Sequence, residues 1–130
     1  SAVTHPVPGL LEAEDYSDMS GIQVEASTDT GGGFNVGYID SGDWLEFSID
    51  VAEMGNYLVE YRLASQGGSN GFQTLVDGIQ LDSQSVSDTG GWQSWVTNSA
   101  SVNLNAGEQT LRIESVGNNW NLNWIKFTAQ

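Results

Sequence analysis

The stretch "WLEFSIDV" (Trp44–Val51) decides the fold class, because its apolar residues recur at every second position. Its alternate apolar members are Leu45, Phe47, Ile49 and Val51. A period of two is that of a β-strand with one buried face. "YLVEYRLA" (Tyr57–Ala64) alternates in the same way. Two such amphipathic strands predict sheets that enclose a core.

Turn residues separate further short apolar segments along the chain. The sequence holds 16 glycines, and hairpin turns are predicted at Asp77-Gly78 and around Asn105–Gly107. Only "GLLEAEDYSDM" is compatible with a helix, and it fits a strand equally well. We therefore predict an all-β sandwich over residues 9–130. "SAVTHPVP" (residues 1–8) is interpreted as the end of an interdomain linker.

The charge balance limits the possible partners. The 130 residues carry 17 acidic and 3 basic side chains, for a net charge of −14. Such a surface repels phosphate backbones and anionic lipids, so we expect neither nucleic acid nor membrane as a partner. Neutral ligands and cations remain. There is no cysteine, which excludes thiol catalysis and zinc–thiolate sites.

Catalytic motifs are few. His5 is the one histidine, and it lies in the predicted linker, so a Ser-His-Asp triad has no base within the domain. A glycosidase would need only two carboxylates, and a small glycosidase therefore remains an alternative.

Aromatic residues beside glycines and amides form a more informative pattern. They concentrate in "GGGFNVGYIDSGDW" (Gly31–Trp44), "TGGWQSW" (Thr89–Trp95) and "GNNWNLNW" (Gly117–Trp124). Flat rings suit the C–H faces of sugars, and amide or carboxylate groups suit their hydroxyls. These segments indicate a site for a neutral sugar.

Two further features each leave two interpretations open. Trp44 lies on the polar face of its strand, on the same side as Glu46. It therefore either packs under another element or forms an exposed aromatic platform. Glu12 and Glu14 share one strand face, where they either hold a calcium ion or are two solvated glutamates.

Five ordered motifs resemble those of family 6 carbohydrate-binding modules. They are "LEAEDY" (Leu11–Tyr16), "GGGFNVGYIDSGDWLEF" (Gly31–Phe47), "GNYLVEYRLAS" (Gly55–Ser65), "TGGWQSW" and "LNWIKF". The resemblance implies a jelly-roll β-sandwich of the galactose-binding-like type. It also implies a non-catalytic module appended to a secreted polysaccharide hydrolase, such as an agarase.

The resemblance further implies a loop-edge sugar site in which a tyrosine and a tryptophan clamp a ring. Tyr38 matches the tyrosine. Spacing along the chain favours Trp95 as the tryptophan that stacks on the sugar ring, whereas Trp92 is expected to pack against the base of its loop. The hydroxyl-binding asparagine is Asn123, with Asn121 as the competitor. The expectation also includes Asn35 as a further hydroxyl contact. Trp120, with Asn118 and Asn119, either faces the ligand or caps the core.

A second family site on the concave sheet face aligns with Trp44 and Glu46. The family's structural calcium motif matches Glu12 and Glu14, completed by the carbonyl of Thr30 and a group near the last strand. Lys126 stands where many members offer a carboxylate, so only its backbone carbonyl is expected to serve.

The expected function is extracellular binding of a neutral polysaccharide by a monomeric module tethered to a catalytic domain. The strong net negative charge suggests a saline setting and favours agarose as the polysaccharide. The module is expected to bind the end of the polysaccharide chain. Xylan and β-glucan are the alternatives within the family. A protein-binding adhesion sandwich is the alternative of another class.

Overall fold

A computed structural model describes residues 3–130, and nearly all of its regular structure is β-strand. The strands are β1 (Thr4–Val7), β2 (Gly9–Glu12), β3 (Asp18–Ser20), β4 (Gln23–Ala26), β5 (Phe34–Gly37), β6 (Trp44–Val51), β7 (Gly55–Ser65), β8 (Ser69–Val76), β9 (Ile79–Val86), β10 (Gly91–Leu104), β11 (Gly107–Ser115) and β12 (Asn121–Ala129). A single 3₁₀ turn covers Ala13–Asp15. Within this described part, no helix is long and apolar enough to cross a bilayer.

Two six-stranded sheets pack face to face, which confirms the predicted jelly-roll sandwich. One sheet has the order β1-β6-β11-β8-β9, with β3 also pairing β6. The other has the order β10-β7-β12-β5-β4, with β2 also pairing β12. The chain crosses repeatedly between the sheets, so neighbours in sequence often lie in opposite layers.

The two-residue period places the core as the sequence predicts. On β6 and β7 the alternate apolar side chains are buried between the sheets: Leu45, Phe47, Ile49, Val51, Tyr57, Val59, Tyr61 and Leu63. The Tyr61 hydroxyl lies 2.7 Å from Thr74 Oγ1 and donates to Asp82 Oδ2 at 2.8 Å. These bonds join β7 of one sheet to β8 and β9 of the other, and they satisfy a polar group that burial would otherwise penalise.

The amino-terminal segment corrects one prediction. Thr4–Val7 is not a linker but a strand of the sandwich, paired in parallel with β6. His5 is only 8% exposed, packs edge-on against Phe47, and its Nε2 lies 3.0 Å from the Asp15 carbonyl oxygen. The alternation of polar and buried side chains in Thr4–Val7 explains its place in the sheet. Residues 1 and 2 of the predicted linker lie outside the described residues.

The two predicted hairpin turns have different outcomes. Asp77 and Gly78 both have positive φ and join β8 to β9, as predicted. Asn105–Gly107 is not a hairpin, because β10 pairs with β7 whereas β11 pairs with β6 and β8. This turn carries the chain from one sheet to the other.

Loops at one end of the sandwich are tied to each other by backbone hydrogen bonds. The Gly71 carbonyl accepts from the amides of Val116 and Gly117, at 2.8 and 3.1 Å. Gly42 donates to the Ser115 carbonyl at 2.9 Å. The loop before β6, the first residues of β8 and the loop before β12 therefore form one connected rim.

Gly71 is a point at which this rim should be sensitive to substitution. Gly71 and Gly78 both have φ near +80°, but a Cβ on Gly71 would lie 1.8 Å from the Gln84 carbonyl oxygen, whereas Gly78 faces open space. We expect Gly78→Ala to cost about 1–2 kcal/mol of unfolding free energy from backbone strain. Gly71→Ala should cost about 3 kcal/mol or more, because overpacking adds to that strain. Urea unfolding of both variants measures the difference, and equal losses would contradict it.

Candidate functional site

A cavity of about 390 Å³ opens at this connected rim. Its walls combine aromatic rings, carboxylates and amides that come from four separate segments of the chain. The lining residues are Glu25, Tyr38, Ile39, Asp40, Trp92, Asn119, Trp120 and Asn121. A concave site with rings and a few convergent polar groups is the usual form of a small-ligand pocket.

Two of the rings are exposed at the mouth of this cavity. Tyr38 is 63% exposed and Trp92 is 41% exposed. Tyr38 also has a left-handed backbone, with φ of 56°, which is uncommon for a residue with a side chain. Large aromatic rings stabilise a fold when they are buried, so rings left exposed beside a cavity indicate a binding surface.

The third ring forms the cavity floor. Trp120 is 1% exposed and stacks on Phe72 with ring centroids 4.6 Å apart. Its indole N–H donates to Ser115 Oγ at 2.9 Å. Trp120 is therefore a core residue that also lines the cavity.

A carboxylate beneath the exposed rings binds three amides. Glu25 Oε2 accepts from Asn35 Nδ2 at 3.1 Å, from Gln93 Nε2 at 3.0 Å and from Asn121 Nδ2 at 3.4 Å. The donors lie on β5, β10 and β12, so this one group connects three strands. Glu25 also lines the cavity, so the carboxylate that ties these strands together is part of the site.

The structure brings together some of the predicted sugar-binding residues. Tyr38, Trp120 and Asn121 line the cavity, and Asn35 lies directly behind it, fully buried and bonded to Glu25. Asn123 does not line it. Its Nδ2 donates instead to Asp29 Oδ2 at 2.8 Å.

The assignment of the two tryptophans is reversed. Trp92, which was expected to pack the loop base, lines the cavity, whereas Trp95 is half-buried outside it. The regular pairing of β10 with β7 is interrupted between Gly91 and Val96, so spacing along the chain does not predict which ring faces inward. Glu25 was missed altogether, since no local motif in "QVEAS" distinguishes it from a surface glutamate.

A second concavity adjoins the first. It is a shallow groove of about 600 Å³ that shares Asn119 with the cavity. Its lining is uncharged and, apart from Val116, made of polar residues and glycines: Ser41, Gly67, Gly68, Ser69, Asn70, Val116, Gly117, Asn118 and Asn119. Such a surface suits a hydroxyl-rich, neutral chain.

The sheet face predicted as a second sugar site is covered by an arginine. The Arg112 guanidinium lies 4.3 Å from the centre of the Trp44 ring and forms salt bridges of 2.9 Å with Glu46 and 3.0 Å with Glu114. These contacts hold the cation over the ring. One face of Trp44 is therefore occupied by protein.

The predicted calcium ligands Glu12 and Glu14 lie in a partly buried environment with other acidic groups close by. Burial, and then the neighbouring charge of Asp15, raises the pKa of Glu12. Burial likewise raises the pKa of Glu14, and the nearby Glu12 and Asp15 charges add to the shift. Within residues 3–130, the only buried side-chain oxygens without a hydrogen-bond partner are Glu14 Oε1 and Asn123 Oδ1.

These two oxygens belong to neighbouring elements. Glu12 pairs with Trp124 in the ladder of β2 and β12, one residue from Asn123. Asn123 also touches Asp29, the residue before Thr30. Lys126 pairs instead with Leu10 and Glu60, inside a ladder that has a partner on both sides. The candidate donor set is therefore Glu12, Glu14 and the side chain of Asn123, which lie on adjoining elements, with Thr30 next to the Asp29 that Asn123 contacts.

The chemistry of this donor set suits calcium. Across the described chain, no three His, Cys, Asp or Glu side chains gather at one point. Calcium does not require them, because it accepts amide and backbone carbonyl oxygens beside carboxylates.

Comparison with known proteins identifies the family. The model of the carbohydrate-binding module family 6 matches residues 12–129. A module from Cellvibrio mixtus lichenase 5A, solved in complex with cellotriose, is 42% identical, has a TM-score of 0.86, and the match covers 95% of this chain and 98% of that one. The C-terminal module of LamC, a marine laminarinase from Zobellia galactanivorans, is 40% identical with a TM-score of 0.85, covering 92% and 98%.

A longer relative contains a similar segment. The clotting factor G alpha subunit of Tachypleus tridentatus is 42% identical over 122 residues, which are 92% of this chain and 18% of that protein. Modules of this family are non-catalytic, bind oligosaccharides and occur attached to glycoside hydrolases. This chain belongs to them and is a family 6 carbohydrate-binding module.

Proposed function

We propose that the module binds the end of a neutral β-glucan chain in the cavity between Tyr38 and Trp92. The observation that carries the proposal is the presence of two exposed rings in one cavity with a carboxylate and amides. The rings can stack on the C–H faces of a pyranose. Glu25 Oε1 and the side chain of Asp40 can accept hydrogen bonds from its hydroxyls.

The similar modules support glucan over the other neutral polymers. One comes from a lichenase and was solved with cellotriose, and another comes from a laminarinase. Agarose remains the second candidate, because the net charge of −14 is compatible with a saline setting. Xylan is the third, as an alternative within the family.

The groove beside the cavity supports binding of a chain rather than of a single sugar. A terminal ring in the cavity could continue past Asn119 into the polar groove. Tethering to a catalytic domain outside the cell would raise the effective concentration of that domain on the polymer. We place no sugar on the Trp44 face, because Arg112 covers that ring.

Substitution of Trp92 tests this site. Buried aromatic contacts commonly contribute about 2 kcal/mol or more to binding, so Trp92→Ala should weaken affinity by about thirtyfold. Trp44→Ala is the matched control and should bind as the wild type does. Titration calorimetry with glucan, xylan and agarose oligosaccharides of two to five units measures both variants.

The outcomes separate the candidates. Glucan binding that strengthens with chain length and is lost in Trp92→Ala is the expected result. Preference for agarose would overturn the substrate class, and loss of binding in Trp44→Ala alone would move the site to the sheet face. Release of reducing ends from any oligosaccharide would favour a glycosidase.

We also propose a structural calcium ion held by Glu12, Glu14 and Asn123. A bound cation would offset the charge that burial disfavours at Glu12 and Glu14 and would satisfy the two unpartnered oxygens. Since both carboxyls have pKa values above the ordinary 4.5, their ionisation destabilises the metal-free fold. Stability without calcium should therefore fall as the pH rises from about 4.5 through the raised pKa values.

Glu14→Gln tests the calcium proposal. In EGTA at pH 7 the variant should melt above the wild type, because it lacks the buried charge. Added calcium should raise the melting temperature of the wild type, with little effect on the variant. Glu108→Gln, which changes an exposed glutamate, is the control and should respond as the wild type does. Equal calcium responses in all three proteins, measured by scanning calorimetry, would contradict the assignment.

A further inference from the structure

We propose that Gln93 and Trp95 are positioning residues that hold Trp92 in the wall of the cavity without touching the ligand. The inference rests on the proposed function for its binding readout, but its geometry can also be tested without a ligand. It explains why "TGGWQSW" carries two tryptophans, of which only Trp92 lines the cavity.

The backbone alone does not hold this segment. Strand β10 pairs with β7 at Gly91 and resumes pairing at Val96, with a register shift between them. Strand β10 also lies at the edge of its sheet. Residues 92–95 are therefore outside the regular ladder, and side-chain contacts must fix where Trp92 points.

The Gln93 amide supplies these contacts in two directions. Its Nε2 donates to Glu25 Oε2 at 3.0 Å and to Asn35 Oδ1 at 3.1 Å. Its Oε1 accepts from the Thr28 amide at 2.8 Å and from Thr28 Oγ1 at 3.3 Å. The side chain thus links β10 to the β4–β5 hairpin on the other side of the cavity.

Trp95 determines the orientation of this amide. Its indole N–H donates to Gln93 Oε1 at 3.3 Å. With three donors at the oxygen and two acceptors at the nitrogen, only one orientation of the amide satisfies every partner. On the other side of the segment, Asn121 Nδ2 donates to the Trp92 carbonyl at 2.8 Å. Trp92 is therefore held through its own carbonyl and through the side chain that follows it.

A carboxylate could not replace the Gln93 amide at neutral pH. It would lie against Glu25 Oε2, where two like charges repel, and it would lack the N–H donors. The other charged groups around this position are Asp40 in the cavity lining and the ion pair of Asp29 with Arg62, next to Thr28. Protonation of one carboxyl in the new pair would restore a hydrogen bond between them.

Gln93→Glu therefore has a pH signature that a purely structural defect would lack. At pH 7 we expect glucan affinity to fall by about tenfold or more, because the half-buried Glu25 carboxylate loses one hydrogen-bond donor and gains a like charge beside it. Affinity should recover toward the wild-type value as the pH falls into the range of carboxyl titration, roughly 4 to 5. Gln109→Glu adds the same charge at the opposite end of the sandwich and should track the wild type at every pH. Trp95→Phe, which removes only the N–H donor and part of the ring, should weaken binding by a smaller factor.

A second readout is independent of sugar. The indole N–H resonance of Trp92 in a ¹H–¹⁵N spectrum should move in Gln93→Glu at pH 7 and return as the pH is lowered. If wild-type protein bound none of the oligosaccharides, the proposed function would fail while this measurement still judged the positioning role. An unmoved Trp92 resonance, or affinity in Gln93→Glu equal to that of the wild type at pH 7, would overturn the inference. A loss of affinity that is the same at every pH would also overturn it.

Discussion

The stack of Trp120 on Phe72 is the contact through which the core and the binding site depend on each other. Phe72 also packs edge-on against Tyr61, whose hydroxyl joins the two sheets. Trp120 continues this chain of rings to the cavity floor, and its N–H is bonded to Ser115. The loop that carries Asn119 and Asn121 is thereby anchored to the most buried part of the molecule. A rigid floor lowers the entropy lost when a weak ligand binds.

The walls of the cavity are held differently from its floor. Trp92 lies in an irregular edge segment, and polar side chains that converge on Glu25 replace the missing backbone pairing. The floor relies on apolar burial, whereas the wall relies on hydrogen bonds to a carboxylate. Charge-assisted hydrogen bonds are the stronger kind and give directional control. They suit a wall that must present a ring at a defined place.

The distribution of charge agrees with a neutral, hydroxyl-rich ligand. Two of the three basic residues are committed to ion pairs within the protein, Arg62 with Asp29 and Arg112 with Glu46 and Glu114. The cavity itself contains the acidic side chains Glu25 and Asp40 and no basic one. Carboxylates accept hydrogen bonds from hydroxyls and repel uronate or sulfate groups.

The sequence by itself determined the sandwich, its buried faces and the loop cluster that carries the site, because strand alternation and glycine turns are local signals. It also identified Tyr38, and placed Trp120 and Asn121 among the candidates. Only the tertiary structure decided between Trp92 and Trp95, because an irregularity in one edge strand changes which side chains face the cavity. The place of Glu25 in the cavity, the covering of Trp44 by Arg112 and the hydrogen bond of Asn123 to Asp29 likewise depend on residues far apart in the chain. Their positions follow from strand pairing and side-chain contacts, which no short stretch of sequence contains.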